Sequence, residues 1–218
     1  MGLNTGVSLG PLIRQRPPLL PSTEPSPGLV LLHGYGSNEL DLLGLADQLD
    51  PRLHVVSVRG PISLGQGAFA WFDLDWDENG IRPNEAQAVT NLHALIEFLA
   101  TLPETLNLRQ NLTVGGFSQG AMMALGVALN SPNVVSRLVM LSGRVVPTFI
   151  PSPPVDLSHV RAIVQHGLQD QILSFEGSRE AVALLRSLGA TVDHREYDMA
   201  HQVSPASLAD LKTWLAVN

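Results

Sequence analysis

The pentapeptide Gly116-Phe117-Ser118-Gln119-Gly120 has the residue types and the spacing of a turn that carries a nucleophilic serine. A short β-favouring stretch, residues 111–115, precedes it, and an apolar run of helix length, residues 121–129, follows it. A strand that enters a helix through so sharp a turn needs small residues on both sides of the serine, and the two glycines supply them. A strand before the serine and a helix after it predict a nucleophilic Ser118 hydroxyl at the edge of a sheet. The alternative is a glycine-rich turn with a capping serine.

A serine hydroxyl is a poor nucleophile at neutral pH and needs a neighbouring base, which is most often histidine. His201 is the predicted base, because it lies between the last predicted strand and the last predicted helix. His33 and His166 also follow strands, but each precedes a glycine and is interpreted as a residue that shapes a loop.

The histidine in turn needs an acid that fixes its tautomer and stabilises the imidazolium. Two aspartates compete for this role. Asp170 ends the loop after the predicted strand 160–165, and Asp198 is three residues from His201 in the same loop. Such local residues often only shape a turn, so Asp170 is the predicted acid.

Attack on an ester carbonyl builds negative charge on its oxygen, and each backbone N–H aimed at that oxygen contributes roughly 3 kcal/mol. One donor is predicted at Gln119, directly after the serine and at the start of a helix. The other is predicted in the loop after the first buried strand, at Tyr35 within His33-Gly34-Tyr35-Gly36. A plain strand-to-helix turn is the alternative for this loop.

The elements that must position these residues follow an alternating pattern from residue 28 onward. Strands are predicted at 29–32, 53–58, 112–117, 137–141, 160–165 and 191–197, and helices at 39–49 (capped by Asn38), 83–102, 121–129, 175–188 and 204–215. Residues 60–82 are predicted to form a long loop, and residues 1–27 a proline-rich arm with at most an edge strand at 6–9. Continuous apolar strands interleaved with helices predict an α/β protein whose mostly parallel sheet is covered on both faces. Such sheets carry their sites at the carboxyl ends of the strands.

Composition limits the class of protein. The chain has 218 residues, of which 44% are hydrophobic and 15% charged, and this predicts one globular domain over 1–218. The net charge of −7 argues against nucleic acid or an anionic membrane surface as a partner. The absence of cysteine excludes disulfides and thiolate chemistry and suits a cytoplasmic protein. No apolar run is long enough to predict stable membrane insertion.

Together these motifs resemble the phospholipase/carboxylesterase family of α/β-hydrolases, which includes the acyl-protein thioesterases. The similarity covers nearly all of the chain from residue 28 to 215, and residues 115–122 are its most specific part. Leu31 to Gly36, Leu141 to Arg144, His166 to Asp170 and the His201 segment follow in the family's order.

The resemblance implies an α/β-hydrolase fold with a minimal lid and a Ser118–Asp170–His201 triad. It also implies ester hydrolysis through an acyl-enzyme without cofactor or metal, and a possible homodimer. The family's thioesterases commonly carry an aspartate soon after the first-strand motif, and Ser37 stands there instead. The pattern is more similar to the small bacterial carboxylesterases.

The leading hypothesis is therefore a serine carboxylesterase that acts on small to medium carboxylic esters. The first alternative is a lysophospholipase or acyl (protein) thioesterase that acts on long acyl chains. The second is a ligand-binding module without turnover on a hydrolase scaffold. The predicted substrate-binding residues are Trp71, Phe72, Phe149 and Leu168. Trp71 and Phe72 could equally anchor their loop in the core.

Overall fold

The computed structural model describes residues 11–20, 22–77 and 80–216. The strands are β1 (Ile13–Arg16), β2 (Gly28–Leu32), β3 (His54–Val58), β4 (Ile62–Gly65), β5 (Ala68–Ala70), β6 (Leu74–Asp77), β7 (Gly80–Pro83), β8 (Leu112–Phe117), β9 (Val135–Leu141), β10 (Arg161–Gly167) and β11 (Thr191–Tyr197). The α-helices are α1 (Glu85–Thr105), α2 (Gln119–Asn130), α3 (Glu176–Ser187) and α4 (Pro205–Leu215). Short 3-10 helices cover Leu42–Gln48, Pro132–Val134 and Pro147–Phe149.

Seven strands form the central sheet in the order β1-β3-β2-β8-β9-β10-β11. All neighbours from β3 to β11 pair in parallel, and only β1 is antiparallel to its neighbour β3. The predicted mostly parallel sheet is confirmed. Its parallel strands end at one edge, so the loops that follow β2, β8, β9, β10 and β11 meet there.

Helices cover both faces of the sheet, because side chains of a strand alternate between the faces. In β2, Val30 and Leu32 pack in the core under α1, α2 and α3. The alternate residues, Leu29 and Leu31, pack on the other face with α4 and the 3-10 helix Leu42–Gln48. All five residues of β2 are buried, which explains its continuous apolar sequence.

The prediction for the N-terminal arm needs a correction. Residues 6–9 lie outside the described part of the chain, and the edge strand that the structure does show is β1. This strand pairs with β3 in register Ile13 to Val58, and the prolines at 17 and 18 follow it directly. Proline lacks a backbone N–H but is tolerated next to an edge strand. The many prolines of this region therefore do not exclude a paired strand within it.

The predicted helix at 39–49 is also wrong in extent and type. The Asn38 side chain accepts a hydrogen bond from the N–H of Leu40, which makes a local turn and not a helix cap. Only Leu42–Gln48 is helical, and as a 3-10 helix. Gly44 lies inside this segment, and glycine disfavours a regular α-helix there.

The segment 60–82 is not a loop, because it folds as two hairpins, β4-β5 and β6-β7. The turn of the first hairpin uses Gly65, Gln66 and Gly67, all with positive φ. The N–H of Gly36 donates to the carbonyl of Phe69 at 2.9 Å, and the N–H of Phe69 donates to the carbonyl of Ser37 at 2.8 Å. The hairpin therefore braces the loop that follows β2.

Helix α1 begins two residues later than predicted. Pro83 ends β7, and Asn84 caps the helix by accepting a hydrogen bond from the N–H of Gln87. The predictions for β2, β8, α2, β11 and α4 are confirmed within one or two residues. Among the residues that the structure describes, no helix combines the length and the apolar character that crossing a bilayer requires.

Candidate active site

Ser118 lies between the last residue of β8 and the first residue of α2, with φ 54° and ψ −115°. This left-handed backbone is unfavourable for a residue with a side chain, and such strain concentrates at functional positions. A Cβ on Gly116 would overlap the backbone of Gly120, and one on Gly120 would overlap the backbone of Leu32. Both glycines are required because the turn packs directly on β2.

His201 lies between the Ser118 hydroxyl and the Asp170 carboxylate. Its Nε2 is 2.9 Å from Ser118 Oγ, and its Nδ1 is 2.6 Å from Asp170 Oδ2. The Phe117 ring packs on the imidazole with a centroid separation of 4.8 Å. A carboxylate at Nδ1 places the proton on that nitrogen and leaves Nε2 free to accept from the hydroxyl. We call Ser118, His201 and Asp170 the reactive cluster.

The side chain of Asp170 is fully buried, and both oxygens of its carboxylate accept hydrogen bonds. The N–H groups of Ile172 and Leu173 donate to Oδ1, each at 2.9 Å. His166 Nε2 is 3.1 Å from Oδ2 and 2.9 Å from the carbonyl of Leu173. Burial alone would raise the pKa of Asp170, but the hydrogen bonds from Leu173, His201 and Ile172 together lower it below its usual value. The site therefore holds the carboxylate in its charged form.

The predicted acid, Asp170, and its competitor Asp198 lie in different environments. Asp170 contacts His201, whereas Asp198 is exposed and accepts a hydrogen bond from the side chain of Gln169. The sequence interpretation missed the contact between His166 and Asp170. The four-residue spacing from His166 to Asp170 is a weak signal that could have suggested it.

Near Ser118, the backbone N–H groups of Tyr35 and Gln119 have no hydrogen-bond partner within the described ranges. Gly34 is close to the serine, since a Cβ built on it would lie 3.5 Å from Ser118 Cβ. Unpaired backbone N–H groups are uncommon in folded proteins and are available to an incoming oxygen. The assignment of Tyr35 and Gln119 as oxyanion donors stays a prediction, and their unpaired N–H groups are compatible with it.

Three buried side chains tie the loop after β2 to the start of α2; we call His33, Trp71 and Gln119 the support cluster. The side-chain amide of Gln119 accepts from the N–H of Trp71 at 2.8 Å and donates to the carbonyl of Phe72 at 2.7 Å. The indole N–H of Trp71 donates to the carbonyl of His33 at 2.9 Å. These bonds connect the two predicted oxyanion donors through a single network.

The His33 ring is held in one tautomer. Its Nε2 accepts the N–H of Gly60 at 2.9 Å, so the proton is on Nδ1, which donates to the carbonyl of Gly34 at 2.7 Å. Burial lowers the pKa of His33 and outweighs the opposite effects of the Gly34 carbonyl and nearby carboxylates. The interpretation of His33 as a residue that shapes a loop agrees with these contacts.

A cavity of about 220 Å³ opens beside Ser118 and His201. Its walls are mostly apolar and come from residues 72–74 at the start of β6, from β8, from α2 and from the loop after β10. The apolar side chains are Phe72, Leu74, Phe117, Met122, Ile172 and Leu173, and Gly34, Tyr35, Gln119 and Arg144 complete the wall. The sequence interpretation found Phe72, Tyr35 and Gln119. The remaining wall residues were missed because they come from separate elements that only the fold brings together.

Three of the four predicted substrate-binding residues lie outside this wall. Trp71 is 2% exposed and anchors its loop, as the alternative interpretation held. Phe149 is 2% exposed and packs in the core against Gly126 of α2. Leu168 is 46% exposed, and its N–H donates to the carbonyl of Tyr197. An apolar residue in a loop serves the core as readily as a pocket, and only packing separates the two.

No group of three or more histidine, aspartate or glutamate side chains is placed to hold a metal ion within residues 11–20, 22–77 and 80–216.

Comparison with known proteins identifies the family of the chain. The model of the phospholipase/carboxylesterase family matches residues 20–218. The chain belongs to this family. Its fold is the α/β-hydrolase fold, and family membership identifies it as a carboxylic ester hydrolase.

Similar solved structures and similar sequences agree with this assignment. The carboxylesterase of Bacillus cereus superposes with a TM-score of 0.81 at 26% identity, covering 95% of this chain and 94% of that one. A putative hydrolase, MhqD, of Bacillus subtilis (strain 168) is 27% identical over 187 residues, which are 85% of this chain and 90% of that relative. Acyl-protein thioesterase 1 of Saccharomyces cerevisiae is 24% identical over 177 residues, 76% of this chain and 73% of that relative.

Proposed function

We propose that the protein is a serine carboxylesterase that hydrolyses small to medium carboxylic esters through an acyl-enzyme formed on Ser118. The observation that carries the proposal is the continuous contact from Ser118 Oγ to His201 Nε2 at 2.9 Å and from His201 Nδ1 to Asp170 at 2.6 Å. A hydroxyl, an imidazole and a carboxylate in this order form the arrangement that activates serine for acyl transfer.

The proposed reaction has two halves. Ser118 Oγ attacks the ester carbonyl carbon while His201 Nε2 takes its proton, and the same nitrogen returns that proton to the departing alcohol. Water then attacks the acyl-enzyme with His201 again as the base, which releases the carboxylic acid and restores Ser118. Asp170 stays ionised throughout and stabilises the imidazolium, consistent with its lowered pKa.

The N–H groups of Tyr35 and Gln119 would bind the carbonyl oxygen as it gains negative charge. Neither has a partner in the described chain, so no existing hydrogen bond has to break. Gln119 is the first residue of α2, where the helix dipole also favours negative charge. Preorganised donors of this kind contribute about 3 kcal/mol each to transition-state stabilisation.

The size of the cavity supports small to medium substrates. Its volume of about 220 Å³ lies below the roughly 300–1,000 Å³ of sites that enclose drug-sized ligands. The mostly apolar wall favours the hydrocarbon part of an ester.

Two measurements test the proposal. A fluorophosphonate probe should label the purified protein at Ser118 with one-to-one stoichiometry, as located by peptide mass spectrometry. The same preparation should hydrolyse p-nitrophenyl butyrate with a burst of p-nitrophenol, the signature of an acyl-enzyme. A folded protein that neither reacts with the probe nor turns over the ester would contradict the proposal and favour a ligand-binding module.

A long-chain acyl esterase or thioesterase is the second candidate. It is favoured by the family, which includes the yeast acyl-protein thioesterase, and by the wall residue Ile172, which is 53% exposed. An apolar wall that continues to the surface could support a chain longer than the cavity itself. Values of kcat/KM for p-nitrophenyl esters from acetate to palmitate, and for the matching acyl thioesters, separate the candidates. A maximum at six carbons or fewer supports the first, and a maximum at palmitate supports the second.

A further inference from the structure

A second cleft of about 340 Å³ lies at the opposite edge of the central sheet and shares no wall residue with the catalytic cavity. It is bounded by the amino ends of β2, β8, β9 and β10 and by the last turn of α4. Three arginines line it, Arg109, Arg137 and Arg161. This cleft plays no part in the proposed ester hydrolysis, so its charge requires a separate explanation.

Two of these arginines are forced together by the sheet. Arg161 of β10 and Arg137 of β9 are direct partners in the parallel pairing, so their side chains leave the same face of adjacent strands. Neighbouring strands are about 4.8 Å apart, and like charges placed directly opposite destabilise a sheet. Arg109 enters the same cleft from the loop between α1 and β8.

Within residues 11–20, 22–77 and 80–216, no aspartate or glutamate side chain offsets this charge. None of the three arginines forms an ion pair with an aspartate or glutamate in the described part of the chain, and no acidic residue lines the cleft. By contrast, Arg59 pairs with Glu39 and Arg195 with Asp193. Although the net charge of the protein is −7, three arginines without an aspartate or glutamate partner in the described chain lie together in this cleft.

The guanidinium of Arg137 already makes contacts that stabilise the end of α4. It donates to the carbonyls of Trp214 and Leu215 and lies 4.2 Å over the Trp214 ring. Burial, and then the charge of Arg161, lower the pKa of Arg137, so a nearby anion would stabilise its charged form. Arg161 and Arg109 are exposed at the cleft and remain available to a ligand.

The other polar groups of the cleft suit an oxygen-rich anion. Thr113, Ser136 and Thr213 contribute hydroxyls and Asn111 contributes an amide. Guanidinium groups bind phosphate oxygens in pairs, and hydroxyls and amides complete such sites. We propose that this cleft binds a small phosphate-bearing anion, held by Arg161 and Arg109 in the positive field of Arg137.

Isothermal titration of the full chain with pyrophosphate, with glycerol phosphate and with citrate tests the proposal. One phosphate compound should bind with one-to-one stoichiometry, and more weakly at 300 mM than at 50 mM salt. Arg161→Gln and Arg109→Gln should each weaken that binding about tenfold or more, the usual effect of losing a charge-assisted hydrogen bond. Tighter binding of pyrophosphate assigns the cleft to free anions, and tighter binding of glycerol phosphate assigns it to the phosphate group of a metabolite.

Arg14→Gln is the matched control, because Arg14 is exposed on β1, has no carboxylate partner in the described chain and does not line the cleft. It removes the same charge and should change the affinity less than twofold. Thermal unfolding establishes that each variant is folded. Absence of phosphate binding by the wild type, an equal loss with Arg14→Gln, or equal affinity for citrate would each overturn the proposal.

Discussion

The reactive cluster and the support cluster lie side by side but differ in what their side chains hold. In the reactive cluster, Ser118, His201 and Asp170 contact one another through side-chain atoms that can exchange or stabilise a proton. In the support cluster, the side chains of Gln119 and Trp71 form their hydrogen bonds with backbone groups. In the proposed reaction, the first cluster transfers the proton and bonds to the substrate, whereas the second positions the N–H groups that bind the carbonyl oxygen.

This difference predicts graded consequences of substitution. Loss of a residue that transfers a proton or forms a bond removes a chemical step. Loss of a residue that positions a donor leaves every step available but weakens transition-state binding, because the donors no longer match the developing charge. The four experiments below separate the clusters, from the largest expected effect to the smallest.

Replacing the nucleophile tests the reactive cluster most severely. Ser118→Ala should lower kcat for p-nitrophenyl butyrate by about 10⁶, as in other enzymes whose nucleophile is removed. Ser187→Ala is the control, since Ser187 is exposed on α3 and its hydroxyl donates only to the carbonyl of Leu184. Retention of more than a few per cent of wild-type turnover by Ser118→Ala would exclude an acyl-enzyme on this residue.

The acid of the reactive cluster can be tested with a matched pair of variants. Asp170→Asn should lower kcat by about 10⁴, because the amide no longer holds His201 in the required tautomer. Asp198→Asn makes the same chemical change in an exposed residue and should leave kcat within about twofold. A larger loss with Asp198→Asn than with Asp170→Asn would reverse the assignment of the acid.

Gln119 tests the support cluster. Gln119→Met keeps the length of the side chain but removes the hydrogen bonds to Trp71 and Phe72, so kcat should fall about 10- to 100-fold with a smaller change in KM. Gln87→Met is the control, because Gln87 makes a similar pair of bonds to Asp73 without touching α2. If both variants lose the same activity, general loosening of the segment and not placement of the donors is responsible.

The smallest expected effect concerns stability and His33. Its folded-state pKa is lowered, so the unfolded chain binds the proton first as pH falls below about 6.5. Stability should therefore be complete above that pH and fall as pH decreases toward the folded-state pKa, by at most about 1.4 kcal/mol per pH unit. Thermal unfolding between pH 7.5 and 5 should show a shallower decline for His33→Gln than for the wild type. His93→Gln, an exposed substitution on α1, should keep the wild-type slope; equal slopes for all three proteins would contradict the prediction.

Most of the sheet could be predicted from the sequence, because β2 and the last four residues of β9, Leu138–Leu141, are buried and form continuous apolar runs. The segments that were mispredicted, 39–49 and 60–82, obtain their structure from elsewhere. The β4-β5 hairpin, for example, is fixed by the bonds of Phe69 to Gly36 and Ser37, which precede it by 33 and 32 residues. The amino-acid sequence of the hairpin itself does not indicate such distant partners.

The sequence by itself determined the residue types of the reactive cluster and their order, because the turn around Ser118 needs glycines and the strand ends need polar residues. Only the tertiary structure decided that Asp170 and not Asp198 meets His201, since strand order sets which loops converge. It also decided that Phe72 faces the cavity while Trp71 and Phe149 enter the core. These outcomes depend on packing between elements distant in sequence. An apolar residue gives the same local sequence pattern whether it lines the cavity or packs in the core.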